Sequence, residues 1–135
     1  MLPIRAAVVY FAVVFAAGFM LGTIRVVFFV PKIGEEVAVL FELPLMLIIS
    51  WITCVRIINR FCAPAALAPR LAMGGLAFPL LMAAEVGVSV FAFGRTAVEH
   101  FQSFLNTASL LSLAAQVAFA FFPAIQLRIA RSRQT

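Results

Sequence analysis

Four residues of this chain carry chemistry that their surroundings make costly. Arg25, Glu42, Glu85 and Gln116 each sit inside a long apolar run, where a charged or strongly polar side chain persists only when it is paired or used. Their spacing pairs them. The midpoint between Arg25 and Glu42 falls between Ile33 and Gly34, in the segment PKIG at 31–34 that reads as a turn. Two apolar helices folded back there bring opposite charges to the same depth. The midpoint between Glu85 and Gln116 falls between His100 and Phe101, in the polar connection 95–106. A second hairpin therefore repeats the arrangement, although no sequence repeat underlies it.

Ser89 follows Glu85 by one helical turn and Ser112 precedes Gln116 by one turn, so each shares a face with its neighbour. The six residues predict a polar cluster in one half of the molecule. Two carboxylates there share one guanidinium. With Arg25 committed to Glu42, Glu85 is left with Gln116, Ser89 and Ser112. Such a carboxylate either exchanges a proton or a cation, or serves as a hydrogen-bonding fixture between helices.

Nothing else in the sequence offers a reaction. His100 has no Asp or Cys partner nearby, and Cys54 and Cys62 lack any CxxC or Cys/His spacing. They read as two reduced thiols. There is no phosphate loop, nucleophile elbow or metal motif, so no catalytic residue, metal site or cofactor is expected.

The elements that must hold the cluster follow from composition. Of 135 residues, 65% are hydrophobic and 11% charged, and Asp is absent. Soluble domains have roughly 45–50% apolar and about 25% charged residues, so this chain is built for lipid. At about 20 apolar residues per crossing, it has room for four spans in one domain, 1–135. The spans are expected at roughly 6–30, 37–57, 71–94 and 107–127. The first run is too long for the ~7–15 residue core of a signal peptide and reads as an uncleaved span. The fold class is all-α, an integral membrane four-helix bundle of two transmembrane hairpins.

Small residues should set its packing. Gly18 and Gly22 form a GxxxG, with Arg25 next on the same face, and predict a close approach of a second helix. Pro44, two residues after Glu42, predicts a kink or a freed Leu40 carbonyl, most simply a packing feature. Trp51 lies too deep for an interfacial anchor and should pack helix on helix. Between the second pair of spans, Val98, Phe101 and Leu105 recur at helical spacing opposite Glu99 and Gln102, as in a short helix lying in the interface. Asn106 or Thr107 is placed to cap the last span.

The net charge of +5 is not a nucleic-acid signal, because the basic residues sit at the ends of apolar runs. Arg5, Arg56, Arg60, Arg70, Arg128, Arg131 and Arg133 fall on one side, against Lys32, Arg95 and the intramembrane Arg25 on the other. Such a bias predicts both termini in the cytoplasm. The partners implied are the lipid bilayer and either a second copy of the chain or a larger membrane complex.

In length and span number the chain is similar to small multidrug resistance transporters, dimers built around an intramembrane Glu. Their Glu lies in the first span, where this chain has Arg25, and its charge bias is too strong for dual topology. It resembles the four-span eicosanoid and glutathione metabolism proteins in size alone, without their glutathione-binding motif. The run GTIRVVFFVPKIGEEVAVLFELPLML looks like uncharacterised small four-span proteins of the bacterial inner membrane. That resemblance implies location and no function. A non-enzymatic accessory or scaffold role is the first expectation. A proton- or cation-coupled transporter or channel subunit using Glu42 or Glu85 comes second, and a membrane-embedded enzyme on a lipophilic substrate third.

Overall fold

The structure, a computed structural model, describes residues 2–135. The order of elements is α1 (Leu2–Ile24), a π-helical stretch (Arg25–Phe29), α2 (Val30–Ile33), α3 (Glu35–Arg60), α4 (Leu67–Phe93), α5 (Ala97–Gln102), a 3₁₀ turn (Ser103–Leu105) and α6 (Thr107–Ser132). Four continuous helical segments, Ile4–Ile33, Glu35–Arg60, Leu67–Phe93 and Thr107–Ser132, are long and apolar enough to cross a membrane. By length and composition this is a multi-pass membrane protein.

The helices run further than the hydrophobic runs alone indicate. Pro31 stands at the start of α2, inside a helix that runs unbroken from Ile4 to Ile33, and the π-helical stretch ahead of it accommodates the missing N–H. Helix therefore continues through 31–33, and the expected four-residue turn shrinks to one residue. Gly34 makes the reversal alone at φ +83°, a conformation open to glycine because it has no Cβ. The widened π stretch lies just ahead of Pro31, whose ring crowds the Val27 carbonyl. Val30 N–H bonds back to the carbonyl of Arg25, and the extra residue re-aims everything around Arg25.

The basic loop also contracts, to residues 61–66. Arg70, at the start of α4, is only 7% exposed. Its guanidinium donates to the carbonyls of Pro64 (3.1 Å) and Ala63 (3.2 Å), while Arg131 donates to that of Ala65 (3.0 Å). Two arginines thus tie the loop to the end of the molecule where α6 finishes.

Helix α1 packs on α3 and α4, and α6 packs on the same two. That leaves α1 diagonal to α6, and α3 diagonal to α4. The two ends of this assembly differ. At the end holding the chain termini, Ala6, Ala7, Tyr10, Cys54, Ile57, Met73 and Ala77 form a closed apolar core. Gly74 lies so close to α6 that a Cβ on it would stand 1.7 Å from the Ala120 carbonyl oxygen. Trp51 meets Phe122 edge-on at 5.2 Å, and Gln126 donates to the Trp51 carbonyl at 3.1 Å. The opposite end is hollow.

Pro44 is exposed, and α3 runs unbroken across it. It faces away from the neighbouring helices, so its expected part in helix packing is corrected. Asn106 precedes α6 without a side-chain capping bond. The cap lies earlier, where Thr96 and Glu99 form a reciprocal capping box on α5. Its signature, T-x-x-E, stands at 96–99 of the sequence.

Candidate functional site

The hollow end is a cavity of about 480 Å³, within the ~300–1,000 Å³ range of small-molecule sites. Val14, Leu81 and Phe119 belong both to its lining and to the apolar core. They form its floor. Above them, every member of the expected polar cluster lines the walls: Arg25, Glu42, Glu85, Ser89, Ser112 and Gln116.

They do not merge into one network. Arg25 Nε and Glu42 Oε2 form an ion pair, with both side chains mostly buried. Gln116 Nε2 donates to Glu85 Oε1. The first pair joins the π stretch to α3 and the second joins α4 to α6, so each lies within one hairpin. The two polar pairs are contributed to the cavity by separate halves of the fold. Ser89 is buried and neither serine forms a hydrogen bond to the pairs.

The glycine pair divides between the expected role and another. A Cβ on Gly18 would press on the Met46 side chain of α3, 3.2 Å from its methyl and 3.9 Å from its sulfur, so Gly18 does meet a second helix, whereas one on Gly22 would meet nothing. Both line the cavity. The missing side chain at Gly22 therefore gives room inside the molecule, and the closest backbone approach occurs at Gly74. The GxxxG spacing could not distinguish these uses, because it reports missing volume and not what takes its place.

Sequence reasoning missed the cavity's mouth. Glu35, Arg95, His100, Ser103 and Phe104 line it together with the cluster. On the short α5 and the 3₁₀ turn, His100, Ser103 and Phe104 face inward, while Val98, Phe101 and Leu105 are 65%, 59% and 86% exposed. The apolar stripe identified in sequence thus faces outward, as suits lipid. His100 rests edge-on against Phe104 with ring centroids 5.4 Å apart. Burial, and then the Arg95 guanidinium, hold its imidazole below the ordinary histidine range.

No protein family model, curated protein or solved structure matches the chain. Its function has to be read from this site.

Counting charges around the cavity gives three carboxylates, Glu35, Glu42 and Glu85, against two guanidiniums, Arg25 and Arg95. Glu42 has its cation. Glu85 has an amide. A carboxylate in low dielectric without a cation is held at considerable free-energy cost unless it binds a proton or a positive group. The arrangement is thus one neutralised pair and one acidic group open to exchange, above an apolar floor.

Proposed function

We propose that the chain is a small proton- or cation-coupled carrier or channel subunit that works through this cavity, with Glu85 as the exchanging carboxylate. The observation that carries this reading is the convergence of all six polar residues on a single drug-sized cavity. A purely structural role for the same residues would favour a filled interior, in which every polar atom is matched and no space remains. The accessory or scaffold role, first in the sequence reading, draws no specific support from the cavity and becomes the outcome to which a negative test returns.

Arg25 acts in this reading as the fixed counter-charge of Glu42, leaving Glu85 to titrate. Sidedness follows from the charge bias, with both termini and the loop 61–66 in the cytoplasm and the cavity opening to the outer face of a bacterial inner membrane. Reporters fused after Thr135 and after Arg60 should then read cytoplasmic, and one inserted at Lys32 external.

The functional test is flux. Liposomes containing the protein and an internal pH indicator, with valinomycin to carry counter-charge, should pass protons down a pH step. Glu85→Gln keeps shape and hydrogen bonding but cannot titrate, so it should fold and pass none. Wild-type flux equal to that of protein-free liposomes would return the chain to the accessory reading.

A further inference from the structure

The acceptor-rich wall of the cavity specifies what it holds, an inference that rests on the cavity reading above and names the ligand's chemistry. Gln116 uses an N–H on Glu85 Oε1, which turns its own carbonyl oxygen away. That oxygen, Gln116 Oε1, is buried and has no hydrogen-bond partner. Among the described residues the second carboxylate oxygen of Glu85 accepts no hydrogen bond, although it is not closed off as Gln116 Oε1 is. One wall therefore presents two unmatched acceptors, one bearing negative charge, with the hydroxyl of Ser89 one turn along the same helix face. A buried acceptor without a donor is destabilising, and a ligand that fits this wall must supply N–H groups.

The rest of the lining defines the ligand's other end. Phe15, Phe19, Phe93, Phe104 and Phe119 all contribute to the cavity. Aromatic rings provide apolar contact and, through their negative faces, attract a cation held above them. The guanidinium of Arg25 offers no competing anion site, because Glu42 already neutralises it. Arg95 and Glu35 add one charge of each sign to the lining, so the cavity's net charge is that of Glu85, which repels an anionic ligand.

We propose that the cavity binds an amphipathic primary amine, its ammonium donating to Glu85 and Gln116 Oε1 and its apolar body lying against the phenylalanines. A primary ammonium has three donors and a compact charge, which suits two or three acceptors converging from one wall. A free amine and the headgroup of an ethanolamine lipid both offer this chemistry.

Three probes with the same body and different heads test it: 4-phenylbutylamine, 4-phenylbutanol and 4-phenylbutyrate. Binding is measured by calorimetry on the full chain in nanodiscs of phosphatidylcholine and phosphatidylglycerol, with protein-free discs subtracted. The amine should bind roughly tenfold or more tighter than the alcohol, the difference expected of hydrogen bonds to a charged group, and the carboxylate should not bind. Glu85→Gln should remove that tenfold preference, and a thermal unfolding transition like that of the wild type shows that the variant is folded. Gln116→Leu should weaken amine binding by less, since it removes a neutral acceptor. Repeating the titration in discs containing phosphatidylethanolamine separates the two sources. Weaker apparent amine binding there identifies the lipid headgroup as a competing occupant, and equal binding assigns the site to free amines.

Equal affinity for amine and alcohol, or preferential binding of the carboxylate, overturns the amine assignment and leaves the cavity as a binding site. Absence of binding by all three overturns both. Amine binding with no proton flux keeps the ligand class and removes the carrier function.

Discussion

The buried hydroxyl of Tyr10 donates to the backbone carbonyl of Phe119 at 3.0 Å, and the two rings stack with centroids 4.3 Å apart. Phe119 lies four residues before Pro123, so its carbonyl is the one that proline deprives of an intrahelical N–H. In lipid every such group needs a partner. Tyr10 supplies it from α1, diagonally across the fold, and closes the cavity floor in doing so. Tyr10→Phe should lower stability by about 1–3 kcal/mol, the usual effect of leaving a buried acceptor unmatched. Pro123→Ala restores an N–H to α6, so Tyr10→Phe should be much milder in that background. Thermal unfolding in detergent reads all four proteins, and strictly additive effects would show that the hydroxyl does not serve the proline-freed carbonyl.

The Arg25–Glu42 pair invites a similar cycle. Arg25→Met and Glu42→Gln each leave one charge of the pair uncompensated, a loss of roughly 3–5 kcal/mol in buried pairs of soluble proteins. Partial exposure of both side chains, 22% and 17%, should place the effect at or below the lower end of that range. The double variant should recover part of the stability lost by either single one. Melting temperatures that fall by the sum of the two would argue that the charges stand apart in the membrane.

Two glycines should respond in opposite ways to the same substitution. Gly74→Ala puts a methyl group 1.7 Å from the Ala120 carbonyl oxygen, so α4 and α6 must separate, at a cost of about 1–3 kcal/mol or more. Gly22→Ala meets nothing and should be tolerated or slightly stabilising, since alanine is the better helix former by about 1 kcal/mol. Comparable losses at both positions would contradict the division into a packed end and a hollow end.

His100 makes the docking of α5 sensitive to pH. Its pKa in the folded protein is lowered, by burial first and by Arg95 second, so the docked state prefers the neutral ring. The corresponding stability is present above the ordinary histidine value of about 6.5. It is lost as pH falls below that value toward the folded one, because the undocked segment takes up the proton first. Amide hydrogen exchange across residues 97–102, corrected for its intrinsic pH dependence, should therefore accelerate between pH 7.5 and 5. His100→Gln should flatten the response, and an unchanged profile in that variant would remove His100 from the explanation.

Much of the architecture was legible in the sequence because lipid imposes few choices. Apolar runs long enough to cross must be helical, since the backbone can satisfy itself there in no other way short of a closed barrel. That physics alone determined four long helices. A tight turn between two such helices makes depth a matter of counting from the turn, which is why the sequence alone matched Arg25 with Glu42 and Glu85 with Gln116. Element ends were less legible. Pro31 looked like part of a turn, yet the helix runs through it behind the π stretch, whereas Gly34 alone reverses the chain. Arg70 counted in the sequence only as one of the basic residues at the ends of apolar runs and is a buried clasp on two carbonyls. Which helix faces meet depends on rotation and order around the assembly, and here the π stretch at Arg25–Phe29 also re-aims the end of the first span. Nothing in the local spacing of Tyr10 or Phe119 states that they touch. Likewise, Gly18 and Gly22 declare missing volume but not whether a helix or a cavity takes it. Only the tertiary structure decided that, by packing the terminal end tightly at Gly74 and leaving the other end open around its two polar pairs.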